Sequence, residues 1–167
     1  MTGRTAALVV ATVVALDQLT KWLVVRSFAY GSEREVIAGL LRLVHTRNRG
    51  IAFGLLGSAG GVVQIGLLVV VVAVVGFLFA QLRRGGQDGL AGFGLVLVLG
   101  GALGNLIDRV VRGEVVDFID VYLRWGGAEH HWPSFNVADS AISTGACLVV
   151  LAELLRGRRN NRATGSD

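Results

Sequence analysis

The residues best suited to do chemistry are aspartates. Asp117 lies in the run EVVDFIDVY, flanked by Val116 and Phe118, and Asp139 lies in WPSFNVADSAIS, shortly after Pro133 and Asn136. Two carboxylates held together away from water resist ionising together, so one pKa rises and the pair shares a proton. Such a pair can hydrolyse an amide, because the ionised member takes a proton from water while the protonated member polarises the carbonyl. Asp120, three residues beyond Asp117, competes for the same place, and spacing alone leaves the choice open.

Other chemistries find weaker support. His130 and His131 are adjacent, His45 is isolated, and the chain holds no HExxH pattern, so spaced metal ligands are missing. Ser140 and Ser143 lack a paired lysine or a suitably placed histidine. The one cysteine, Cys147, permits neither an internal disulfide nor a cysteine cluster, and its apolar setting predicts a packing role. No metal and no cofactor is expected.

Further polar residues interrupt apolar runs, where an ionisable group needs a partner or a function. Asp17 and Lys21 are four apart, the spacing of a same-face helical ion pair, and are predicted to support the structure. Asn105, Asp108 and Arg109 fall at i, i+3 and i+4 and so share one helical stripe. Gly100 and Gly104 form a small-xxx-small face that admits another helix closely.

The elements that must position these residues are read from composition. Of the 167 residues 53% are hydrophobic and 17% charged, against about 25% charged in soluble domains. With a mean hydropathy of +0.61, so little charge predicts lipid as solvent. Four stretches approach the ~20 apolar residues a membrane span needs, at about 5–25, 60–82, 89–111 and 137–155. The first continues past Asp17 to Val25, which argues against a cleaved leader. Asn136 is the predicted N-cap of the last span, placing Asp139 in its first turn, where the helix dipole favours a carboxylate.

Four crossings put both termini on one side and the two long connections, about 26–59 and 112–136, on the other. Asn48, Asp117 and Asp139 therefore share one membrane face. Arg83, Arg84, Arg156, Arg158, Arg159 and Arg162 crowd the termini side and lean it towards the cytoplasm. The net charge of +4 is spread over loops and tail without aromatic interleaving, which fits lipid headgroups rather than nucleic acid. Residues 35–44 alternate unevenly, compatible with short strands or an interfacial helix, and a disordered tail is predicted over about 157–167.

Five blocks, DQLTKW, NRGIAFGLL, GGALGNLIDR, VVDFIDVY and FNVADSAI, occur in an order and spacing that resembles signal peptidase II, the bacterial lipoprotein signal peptidases. The resemblance covers nearly the whole chain. It implies a single integral-membrane domain, mainly α, of four transmembrane helices, with a small extracytoplasmic β-cradle and an amphipathic half-helix in the first long connection. It implies an aspartyl endopeptidase of the bacterial inner membrane, with both termini cytoplasmic and the site near the outer face; a monomer is expected. Its substrate would be a lipid-modified prolipoprotein cut on the amino side of the diacylglyceryl cysteine. Membrane lipids and globomycin-type inhibitors would be its other partners. The resemblance assigns catalysis to Asp117 and Asp139, against Asp120. It places Asn48, Gly50, Asn105, Asp108, Arg109 and Asn136 around the substrate, with Asp17 and Lys21 as support. Ile51 departs from the small alanine usual there, and the loop RWGGAEHHWP is longer than in some relatives. The sequence-level rivals are a small proton or cation transporter, which needs acidic residues spread through membrane depth, and a scaffold packed through glycine faces. The acidic residues of the spans instead gather near one face, with Glu153 near the other.

Overall fold

The computed structural model describes residues 1–48, 61–84 and 89–164. Along them run helix α1 (Gly3–Ser27), strands β1 (Glu33–Ile37) and β2 (Leu41–Asn48), and helices α2 (Gly61–Arg84) and α3 (Leu90–Arg112). Strands β3 (Val115–Trp125) and β4 (Ala128–His131) and helix α4 (Val137–Thr164) follow. In lipid no water satisfies a free amide, so Val-rich runs that favour strands in water close their hydrogen bonds as helices. Among the described residues three segments, Gly3–Ser27, Leu90–Arg112 and Val137–Gly157, are long and apolar enough to cross a membrane. α2 has 24 residues around the apolar stretch Val69–Leu78. Leu19, Leu23, Val69, Phe77, Leu151 and Leu154 point outward from these helices.

α3 is the central helix and packs against α1, α2 and α4. Missing side chains make the close approach possible. A Cβ on Gly101 would lie 2.3 Å from the Ala138 carbonyl oxygen of α4. On the Gly100 and Gly104 face the partner is α1, with would-be Cβ contacts of 3.0 Å to Val13 and 2.7 Å to the Asp17 carboxylate. The small-residue face read from the sequence thus receives α1, and its neighbour Gly101 receives α4.

The four strands form one antiparallel sheet in the order β1-β2-β3-β4. Gly113, at φ +74, ends α3 in the left-handed conformation and turns the chain directly into β3. The sheet's root packs on the helices through Val24, Val116 and Phe118, with Leu43, Ile119 and Val137 around them. Further out, Arg42 stacks 3.9 Å from the Tyr122 ring and bonds Glu129 at 2.7 Å, while the Tyr122 hydroxyl donates to Glu35.

Residues 35–44, ambiguous in the sequence, belong to β1, β2 and the turn between them. The cradle also recruits β3 and β4 from the second connection, so it spans both long connections rather than the first alone. The implied half-helix, with Gly50 and Ile51, lies outside the described residues. The tail predicted to be disordered from about 157 is helical as far as Thr164. It contains no proline, and a helix already nucleated by packing propagates cheaply through such a stretch.

Candidate active site

Beneath the site lies a buried ionic cluster. The Lys21 ammonium is fully buried and donates to Asp17 Oδ2 at 2.8 Å, Asp108 Oδ2 at 2.8 Å and Asn105 Oδ1 at 3.0 Å. The four-residue spacing of Asp17 and Lys21 makes the first contact, and the packing of α1 on α3 makes the other two. Asp108 also accepts from Gln18, Arg112 and the Val116 N–H. Two acids and two bases balance, as buried charge requires.

Asp17 has a second task. Its Oδ1 accepts the Ala138 N–H at 2.9 Å, satisfying an amide in the first turn of α4 from another helix. Asn136 caps the same turn, with its Oδ1 taking the Asp139 N–H at 2.9 Å, as the sequence predicts. The start of the helix that carries Asp139 is thus held twice.

Two asparagine amides join this base to the two aspartates. Asn105 Nδ2 donates to Asp139 Oδ1 at 2.7 Å, and Asn136 Nδ2 donates to Asp117 Oδ1 at 2.7 Å. The orientation of each amide is dictated by its surroundings. Lys21 can only donate, so the Asn105 oxygen faces it; the Asp139 N–H can only donate, so the Asn136 oxygen faces that. Asn136 also donates weakly to Asn105 Oδ1 at 3.4 Å, which closes the network.

Asp117 reaches the site from β3, whose pairing with β2 places it opposite Thr46; the Thr46 hydroxyl donates to its backbone carbonyl at 3.2 Å. Its carboxyl is pushed up to about 7, first by burial and then by the neighbouring negative charge of Asp139. Hydrogen bonds from Asn136 and Asn48 and the charge of Lys21 act in the opposite sense. Asp120 is placed differently. Strand alternation turns it to the opposite face, where both its oxygens lie 3.0 Å from His131 Nδ1.

A carboxyl raised to about 7 beside a second carboxylate suits general acid–base hydrolysis. The family profile described as Signal peptidase (SPase) II matches residues 9–155. The chain belongs to the signal peptidase II family. It is 47% identical over 146 residues to the lipoprotein signal peptidase of Ralstonia nicotianae, covering 87% of this chain and 82% of that protein. It is 44% identical over 153 residues to that of Solibacter usitatus, covering 90% of each. It also superposes on a bacterial membrane enzyme solved by the in meso method at 2.3 Å, with TM-score 0.81 and 33% identity, over 95% of this chain and 92% of that one. A second such structure, at 1.9 Å, gives TM-score 0.76 and 32% identity over 91% and 94%. Membership of signal peptidase II makes the chain a protease, and its apolar helices place it in the inner membrane.

Of the residues singled out in the sequence, Asn48, Asn105, Asp108, Arg109, Asn136, Asp117, Asp139, Asp17 and Lys21 all come together, and Gly50 lies outside the described residues. Asp108 is fully buried, committed to Lys21, Gln18 and Arg112. Arg109 donates to the Asn105 carbonyl, and the charges of Asp139, Asp117 and Asp108 act on its guanidinium in falling order. Sequence reasoning missed Gln18 and Arg112. Gln18 donates to Asp17, the Gly104 carbonyl and Asp108 at 3.1 Å each, and Arg112 bonds both Asp108 and Gln18. The signal for Arg112 was its i+4 spacing from Asp108.

Proposed function

We propose that this chain is a lipoprotein signal peptidase acting as an aspartyl endopeptidase. It removes the signal peptide from diacylglyceryl-modified prolipoproteins on the amino side of the lipidated cysteine. Asp117 and Asp139 share the acid–base work on a water nucleophile. The observation that carries this reading is the single buried side chain of Asn136, which bonds the carboxylate of Asp117 and the backbone of Asp139 at once. The lipoprotein signal peptidase names of the relatives supply the substrate class.

In this mechanism Asp117 carries the shared proton near pH 7 and Asp139 is the base. Asp139 takes a proton from water, the hydroxyl adds to the scissile carbonyl carbon, and Asp117 gives its proton to the carbonyl oxygen. The tetrahedral diol then collapses. A proton passes from Asp139 to the departing nitrogen, the C–N bond breaks, and Asp117 recovers its proton as the carbonyl re-forms. The products are a signal peptide with a new carboxyl end and a lipoprotein with cysteine at its amino terminus.

With α2 as the fourth crossing both termini share one side, and the arginines crowded there support the cytoplasmic side for them and the outer face for the dyad. Substrate lipid and signal helix enter sideways from the bilayer, so much of the encounter entropy is removed before chemistry. Asn48, Gly50, Arg109 and the asparagines of the network border the bound peptide, where globomycin-type inhibitors compete. Asp108, having no exposed surface, shapes the site from behind. The enzyme works as a monomer. The test uses purified full-length chain in lipid micelles with a diacylglyceryl-modified prolipoprotein. Wild type releases the signal peptide and globomycin blocks it, while Asp139→Asn and Asp117→Asn each lose about 10³-fold or more in rate. Undiminished turnover by Asp139→Asn rules out the dyad.

A further inference from the structure

The buried ammonium of Lys21 has three protons and three acceptors, and only two of these are the carboxylates that neutralise it. A buried ammonium leaves no N–H unpaired, so what matters is where the third bond leads. The third bond goes to Asn105 Oδ1 at 3.0 Å, and the far end of that amide is 2.7 Å from Asp139 Oδ1. An asparagine amide otherwise turns either end towards a neighbour, and with its oxygen towards Asp139 it would repel the carboxylate. A residue that can only donate removes that freedom.

We propose that Lys21 is a positioning residue for catalysis, fixing the Asn105 amide so that its N–H faces Asp139 and keeping a positive charge behind that carboxylate. The inference rests on the dyad reading above. Hydrogen bonds in such a chain polarise one another, so the ammonium strengthens the N–H that Asp139 receives. Other charged groups face Asp139 as well. Asp17 lies on α1, Asp108 and Arg109 on α3, and Asp117 on β3, so the effect of Lys21 must be isolated from theirs.

Removing Lys21 alone would strand Asp17 beside Asp108. The comparison is therefore between Asp17→Asn and the charge-balanced pair Asp17→Asn with Lys21→Met. In the pair, the amide put in place of the Asp17 carboxylate still offers an oxygen to the Ala138 N–H, and Asp108 keeps Arg112, Gln18 and the Val116 N–H. Relative to Asp17→Asn, adding Lys21→Met is expected to lower kcat about 10- to 100-fold with KM little changed. The acid limb of the pH–rate profile should move up by about one pH unit, because an opposing charge near the base has gone. Lys21→Arg keeps the charge and the donor-only character, so it should keep the wild-type acid limb even where packing lowers kcat.

Should the paired variant match Asp17→Asn in kcat and in both limbs, or Lys21→Arg shift the acid limb, the proposal is overturned. Asp139→Asn assayed in parallel separates the two readings. If it retains turnover, the dyad itself fails; if it is inactive and the Lys21 variants keep the profile, only the positioning role fails.

Discussion

Asp17 and Ala138 are 121 residues apart in the chain, yet the Asp17 carboxylate accepts the Ala138 N–H at 2.9 Å inside the protein. One side chain of α1 therefore neutralises Lys21 and caps the helix that presents Asp139. Removing it breaks a buried ion pair and orphans a backbone amide together. Asp17→Ala should cost about 3–5 kcal/mol, as is usual when one member of a buried pair is deleted. Asp17→Asn, which keeps an oxygen for the cap, should cost markedly less. Thermal unfolding in detergent checks the difference, and equal losses would mean that the cap contributes nothing.

Helix spacing makes a second prediction. A Cβ on Gly101 would sit 2.3 Å from the Ala138 backbone oxygen, which can yield only if α4 moves as a body. Gly101→Ala should destabilise by about 1–3 kcal/mol and lower activity as well, because Ala138 precedes Asp139. Gly76→Ala, on α2 with nothing within 4 Å, is the control and should be neutral or mildly stabilising. Melting temperature and turnover of the two variants separate these outcomes.

These two cases show what the sequence makes legible. Helix periodicity and hydropathy are local, so α1, α3 and the start of α4 were readable, as was the Asp17–Lys21 pair. The Asn136 cap was readable for the same reason. What a sequence does not encode locally is which elements meet. Nothing in VVDFID says that β3 pairs with β2 rather than running on as α3, and that pairing is what carries Asp117 to the site. Gln18 was invisible because its partners, the Gly104 carbonyl and Asp108, lie across a helix interface.

The choice between Asp117 and Asp120 gives a third prediction. Asp120 is bound to His131 on the other face of β3, so Asp120→Asn should leave kcat/KM within about twofold of wild type, set against the ~10³-fold loss expected of Asp117→Asn. Its effect should fall on His131 instead. That imidazole is held above its ordinary value, first by the Asp120 bond. A raised histidine contributes stability below its unfolded value that is lost as pH rises through the folded one. Imidazole NMR should therefore show the His131 pKa falling in Asp120→Asn. A dead Asp120→Asn would instead bring Asp120 into the reaction.

The Asp117 carboxyl supplies the last prediction, in stability and in rate. Its pKa is about 7 in the fold against 3.8 for a free side chain. A carboxyl raised by folding favours the native state at low pH, and that contribution disappears as pH climbs from 3.8 through 7. At about 1.4 kcal/mol for each tenfold change, the loss is on the order of 4 kcal/mol. Asp117→Asn cannot titrate, so its melting temperature should stay flatter than that of wild type between pH 4 and pH 8. In catalysis the same proton is the acid, so wild-type kcat/KM should fall about tenfold per pH unit above 7. Asp139→Asn removes the second-largest cause of the upward shift while leaving burial in place. Carboxyl NMR should then find the Asp117 pKa lower in that variant, yet still above 3.8. An alkaline limb that ignores the Asp117 proton, or a wild-type melting curve already flat across this range, would remove Asp117 from the acid's role.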